Sequence, residues 1–263
     1  MRKTGFGAAE GVDMGEEDWL IRRDHADGVV EVVLNRAPVN ALSAGFLMDF
    51  AALIDVLASE TAVRAVVLSS PFKVFSAGLD LKEAQHFDIK AQNAIVEGLN
   101  VAFLRLFACQ KPVVAAVGGA AIAGGLFYVL ASDFRVAAPR ARFGLAEVRV
   151  GADFPVGPLE IARATLCPNT LRRLMLTGQP VDADAARSAG IVDVIDDGDP
   201  HARALREAQA LAAIPPLTYA SVKRQIRGKT IDLIENALSH GGNRPEGGWY
   251  NSETRDAMAR MIG

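Results

Sequence analysis

The sequence predicts an α/β fold, with strand and helix alternating as far as Ala138 and helices dominating the remainder. Three observations lead there. Residues 63–68 and 113–117 are short apolar runs, interrupted only by Arg64, as expected of strands covered on both faces. The stretches between such runs carry apolar residues at helical spacing. Half of the 263 residues are hydrophobic, enough to build a large core.

Taken in order, residues 20–23 and 29–34 read as two strands joined by a turn, with the Asp27-Gly28 pair as the hairpin signal. Ser43 can cap a helix whose apolar face holds Phe46, Leu47, Phe50, Leu53, Ile54 and Leu57. Residues 63–68 form the next strand and 76–80 a loop. Residues 89–109 form a long helix, stopped by Lys111-Pro112. Residues 113–117 are a strand, 118–125 a glycine and alanine loop, 125–132 a compact helix and 133–138 another strand. Beyond them, residues 161–166, 171–176, 182–190, 201–213, 217–226, 231–238 and 252–261 read as helices, with one late strand at 191–195. The division expected is a disordered lead-in at 1–18, an α/β core at 19–200 and a helical region at 201–263.

A net charge of −3 from 28 basic and 31 acidic residues argues against nucleic-acid binding. No apolar run approaches the roughly 20 residues needed to span a bilayer. The N-terminus lacks the apolar stretch of a secretory signal, so a cytoplasmic protein without membrane partners is expected. Two cysteines, Cys109 and Cys167, exclude a disulfide scaffold and a cysteine zinc cluster, and both read as buried thiols. His25, His86, His201 and His240 show no ligand spacing, so no metal is expected. No G-x-S-x-G elbow, P-loop lysine or dinucleotide glycine fingerprint is present.

Three segments carry candidate chemistry. Residues 74–83, with Ser76-Ala77-Gly78, form a small-residue turn after a strand, where backbone N–H groups can face a ligand. Residues 118–126 join a strand to a helix without a large polar side chain, leaving the helix N-terminus to favour a developing anion. In residues 143–151, Glu147 lies among apolar neighbours, where burial would raise its pKa and suit it to proton transfer. An ion pair with Arg142 or Arg149 is the plainer alternative.

Together these segments resemble the crotonase superfamily, the enoyl-CoA hydratase/isomerase family. The resemblance rests on Pro38-Val39-Asn40-Ala41-Leu42, residues 75–81, Lys111-Pro112 with the strand after it, the Gly124-Gly125 helix start, Ser132-Asp133, Phe143-Gly144-x-x-Glu147, Leu176-Thr177-Gly178 and residues 183–192. It implies a spiral of ββα units with a C-terminal helical region that aids trimer formation, as a homotrimer or a hexamer made of two trimers. It implies an acyl-CoA thioester substrate and no cofactor beyond the coenzyme A of that substrate. It also implies an oxyanion hole from two backbone amides, placed here at Ala77 and Gly124. Asn40, Ala41, Leu79, Asp80 and Lys82 fall where the family contacts coenzyme A.

One departure directs the functional reading. Hydratases of the family carry two glutamates. Glu147 stands at one position, but Phe127 stands at the other, and Ala123-Gly124-Gly125 replaces a glycine triplet. A single carboxylate on an apolar wall looks like the isomerases of the family, which move a double bond from the 3 to the 2 position with one glutamate. Phe127 is expected to line the acyl pocket. A 2-enoyl-CoA hydratase with an atypical second acid, Asp153 or less readily Glu160, is the enzyme alternative. A degenerate member that binds acyl-CoA without turnover is the alternative outside catalysis.

Overall fold

The computed structural model describes residues 19–242 and 247–262. The expected lead-in at 1–18 lies outside them. Strand β1 (Leu20–Asp24) pairs antiparallel with β2 (Val29–Leu34) through a turn in which Asp27 and Gly28 both take positive φ. Helix α1 (Ala44–Ser59) follows, capped by the Ser43 hydroxyl, which accepts from the amide of Phe46 at 3.3 Å. Next come β3 (Ala65–Ser69), β4 (Val74–Ser76), the single turn α2 (Leu81–Ala84) and the long helix α3 (Ile89–Ala108). The unit recurs as β5 (Val113–Val117), β6 (Ala120–Ile122) and α4 (Gly124–Ala131), and again as β7 (Phe134–Ala137) and β8 (Arg142–Gly144). Helices α5 (Val156–Thr165) and α6 (Pro168–Thr177), strand β9 (Val181–Asp182), α7 (Ala183–Ser188) and β10 (Val194–Ile195) lead to α8 (Pro200–Ala212), α9 (Pro216–Ser239) and α10 (Thr254–Ile262).

The strands form two sheets, ordered β1-β2-β3-β5-β7-β10 and β4-β6-β8-β9. Every pairing from β2 to β10 in the larger sheet is parallel, so each return needs a crossover. Alternating side chains of this sheet enter two cores. Val32, Leu34, Val66, Leu68, Ala115 and Val117 meet the helices of the main core. Val29, Ala65, Val67, Val114, Ala116 and Val136 meet Ala204, Ala208 and Ala212 of α8. Both faces are therefore covered, which is why these strands read as unbroken apolar runs.

The structure departs from the sequence reading in several places. The loops expected at 76–80 and 118–125 contain or border the short strands β4 and β6 of the second sheet. The two helices expected at 217–226 and 231–238 are one helix, α9, which passes through Gly228 without a break. Helix α8 covers the larger sheet, so residues 200–212 belong with the α/β core rather than with the later helices. Cys109 is buried, but Cys167 is exposed beside the Thr170 hydroxyl.

Candidate active site

The second sheet brings the three candidate segments together. Strands β4, β6 and β8 are neighbours and run parallel, so their C-terminal ends open at one edge. There lie the Ser76–Gly78 turn, the Ala123–Gly124 helix start and Glu147. The approach of these segments is close. A Cβ on Gly125 would lie 2.3 Å from the Ser76 carbonyl oxygen, so a side chain there would push α4 off β4. Gly78 turns with φ +77°, and a Cβ there would meet the Gly124 nitrogen at 3.2 Å. Ala123 itself holds φ +50°, a strained value for a residue with a side chain, immediately before Gly124.

The backbone donors differ from the sequence expectation at one position. The amide of Ala77 donates to the Val39 carbonyl at 3.0 Å and is used within the fold. That N–H is therefore not free to be the oxyanion donor that the resemblance implies. Beyond Gly78, whose positive φ reverses the chain, Leu79 is bridged to Leu42 through the Gly78 carbonyl, which accepts from the Leu42 amide at 2.8 Å. The amides of Leu79 and Gly124 meet no acceptor among the described residues, and both residues line one cavity. Gly124 opens α4, so its N–H also sits at the positive end of a helix.

That cavity has a volume of about 190 Å³. The side chains on its described lining are apolar apart from Glu147 and the ring N–H of Trp249, which is already bonded to the Asp153 carbonyl at 3.0 Å. Glu147 begins a 3-10 turn (Glu147–Val150) and is buried. Among the described residues its Oε2 has no hydrogen-bond partner and neither Arg142 nor Arg149 pairs with it. Burial pushes its pKa up to about 8, opposed only by its own backbone amide. Phe127 lines the same cavity, with its ring 5.5 Å from Phe103 and 6.4 Å from Phe154.

Several expected site residues are not on the cavity lining. Asp153 is exposed and off the cavity lining; the left-handed turn at Gly151 carries the chain outward before it. Glu160 pairs with Arg163. Asn40 is fully buried, and its amide group bonds Ser70 and the Phe75 carbonyl while its oxygen accepts from the Arg36 amide. It ties two loops together and has no surface left for a coenzyme. The Ala41 carbonyl accepts from the Arg36 guanidinium. Asp80 caps α2 through the amides of Lys82 and Glu83, while the Lys82 side chain is exposed. The sequence reading missed Trp249, Met258 and Met261, which line the cavity from the C-terminal segment. Among the described residues no group of acidic, histidine or cysteine side chains could hold a metal ion, and no helix is long and apolar enough to cross a membrane.

The family model for enoyl-CoA hydratase/isomerase matches residues 24–240. Enoyl-CoA hydratase EchA19 of Mycobacterium tuberculosis is 32% identical over 82% of this chain and 82% of its own length. A hydrolase of the same organism, acting on the coenzyme A thioester of a methyl-dioxo-hexahydroindene carboxylic acid, is 33% identical over 71% of this chain and 75% of its own. Among solved structures, an enoyl-CoA hydratase/isomerase from Xanthobacter autotrophicus superposes with a TM-score of 0.78 at 27% identity, covering 93% of this chain and 96% of that one.

Proposed function

Because the chain belongs to the enoyl-CoA hydratase/isomerase family, we propose that it moves the double bond of a 3-enoyl-CoA to the 2 position, with Glu147 as its one acid–base group. The observation that carries this reading is that Glu147 is the single titratable side chain on the described cavity lining, with apolar Phe127 beside it. The thioester oxygen lies between the amides of Leu79 and Gly124. These donors stabilise the negative charge that grows on that oxygen as the C2 proton leaves, and one such donor is commonly worth about 3 kcal/mol. Ionised Glu147 takes the proton from C2 and returns it to C4. Phe127 offers no partner to a water molecule, so the intermediate is not hydrated. Coenzyme A enters as part of the substrate, and no separate cofactor is needed.

A second reading is 2-enoyl-CoA hydration, favoured by the name of the EchA19 relative and by the neutral state that burial imposes on Glu147, which suits it to protonate C2. A turnover screen on 2-enoyl-, 3-enoyl- and 3-hydroxyacyl-CoA separates the two. Conversion of the 3-enoyl thioester alone is the expected result. Robust hydration would replace the reading, and binding without turnover would make the chain a non-catalytic acyl-CoA binder.

The assembly belongs to the same proposal. Ile231 and Ile234 of α9 are buried within the chain, but Leu217 and Ile226 are 86% and 76% exposed, and Val222 and Leu233 are also exposed. Such a surface suits contact with further copies in a trimer or a pair of trimers. Sedimentation as a monomer at micromolar concentration would refute it.

A further inference from the structure

The C-terminal segment forms one wall of the cavity and is tied to the elements that carry the site. The Tyr250 hydroxyl donates to the Ala84 carbonyl at 2.9 Å, and the Arg255 guanidinium donates to the carbonyls of Gln85 and Phe87. These bonds anchor it to the end of α2 and the residues that follow it, just after the Leu79 turn. The Thr254 hydroxyl donates to the Gly151 carbonyl at 2.6 Å, anchoring it to the turn that begins at Glu147. Trp249 and Met258 are buried against the cavity, whereas Met261 lines it while 46% exposed, where the cavity meets solvent.

The chemistry of this wall is one-sided. It offers two thioethers and an indole whose N–H is already bonded. No cation lies on the described lining, and the one carboxyl there is Glu147. We propose that the α10 wall selects the acyl group: it admits an uncharged hydrocarbon chain, whose length is gated by Met258 with Met261 at the mouth, and it rejects acyl groups that end in a carboxylate. This inference rests on the acyl-thioester reading above. A terminal carboxylate would be buried without a partner in the same cavity as Glu147, which costs far more than the methylene contacts return. Methionine suits the gate because its unbranched thioether fits chains of different shape.

The test compares kcat/KM of the full chain for short-, medium- and long-chain 3-enoyl-CoA and for a short-chain thioester bearing a terminal carboxylate. The carboxylate-ended substrate should fall at least about 10²-fold below its methyl-ended counterpart. Met258→Ala should raise the long-to-short ratio by about tenfold, the scale of one or two methylenes in an apolar pocket. Met261→Ala should move it less, in the same direction, and volume-conserving Met258→Leu should restore the wild-type ratio. A ratio taken within one variant does not depend on how much of that variant is folded. Equal use of the carboxylate-ended substrate, or an unchanged ratio in both alanine variants, would overturn the inference. If no thioester turns over, the same ratios are read from dissociation constants of saturated acyl-CoA and its carboxylate-ended analogue by calorimetry. Failure of the chemistry is thereby separated from failure of acyl selection.

Discussion

Glu147→Gln tests the site on two independent axes, because the carboxyl is both buried and titratable. A pKa of about 8 against an ordinary 4.5 means that ionising the group in place costs on the order of 5 kcal/mol more than in water. The folded state keeps this proton up to about pH 8, while the unfolded chain releases it near pH 4.5. The stability of the wild type should therefore decline by about 1.4 kcal/mol per pH unit through that window and level off above it. The glutamine variant lacks this slope. Its melting temperature relative to wild type should rise with pH, by on the order of 10 °C across the window for a chain of this size. An unpaired buried glutamine carries its own cost, but that cost is constant with pH, so the slope is the readout. On the kinetic axis, a base must be ionised before it acts, and at pH 7 only about one molecule in ten is. Wild-type kcat/KM for a 3-enoyl-CoA, followed by the absorbance of the conjugated product, should rise about tenfold per pH unit and reach a plateau near pH 8. Glu147→Gln should lower it at least about 10²-fold and leave the binding of saturated acyl-CoA unchanged. A melting difference independent of pH would show that no buried carboxyl is lost. A kcat/KM that falls above pH 8 would show that Glu147 acts first as an acid, as hydration requires.

Replacing the Leu79 peptide N–H by an ester oxygen should lower kcat about 10²- to 10³-fold. The same replacement at Ala77 should cost about 1 kcal/mol of stability and little rate, because that amide bonds Val39; the reverse pattern would restore Ala77 as the donor. Tyr128→Phe removes a buried hydroxyl that has no partner among the described residues and should raise stability by about 1 kcal/mol, read as the denaturant midpoint; a lower midpoint would reveal a partner for that hydroxyl. Phe127→Glu supplies the cavity with a second carboxyl. It should add hydration of 2-enoyl-CoA while lowering the melting temperature, and a folded variant that adds no water would remove Phe127 as the residue that excludes it.

The larger sheet and its helices were legible because their signals are long. Val113–Val117 is apolar throughout, and α1 buries Phe46, Leu47, Phe50 and Ile54 from one face of a capped helix. The second sheet was not legible. Its strands β4, β6 and β8 are three residues each, too short for a period, and Gly118-Gly119 before β6 reads as a break. Gly119 is there because the Lys73 backbone passes where its Cβ would stand, a contact between distant residues that no local pattern records. The same limit explains the donor. Small side chains at Ser76-Ala77-Gly78 mark the turn, but which N–H it leaves bare depends on the Val39 carbonyl arriving from another loop. Glu147 was legible as a carboxylate in an apolar run. Asp153, close to it in sequence, was misplaced because Gly151 turns the chain between them.

Charge accounting links these features. In the proposed reaction the cavity carries one negative charge at every stage. It resides first on ionised Glu147 and then, once the C2 proton has moved, on the thioester oxygen between the Leu79 and Gly124 amides. The apolar lining makes the ionised base costly, which drives it to take a proton. The same low polarity strengthens the two amide contacts with the oxygen that receives the charge. A second carboxylate at position 127 would put two charges in a cavity of about 190 Å³ at the ionised stage. One of them would then stay protonated, as closely placed carboxyls do, and only a bound water would give it a task. Phenylalanine there leaves one charge, one base and one proton to return, which is all that a double-bond shift requires.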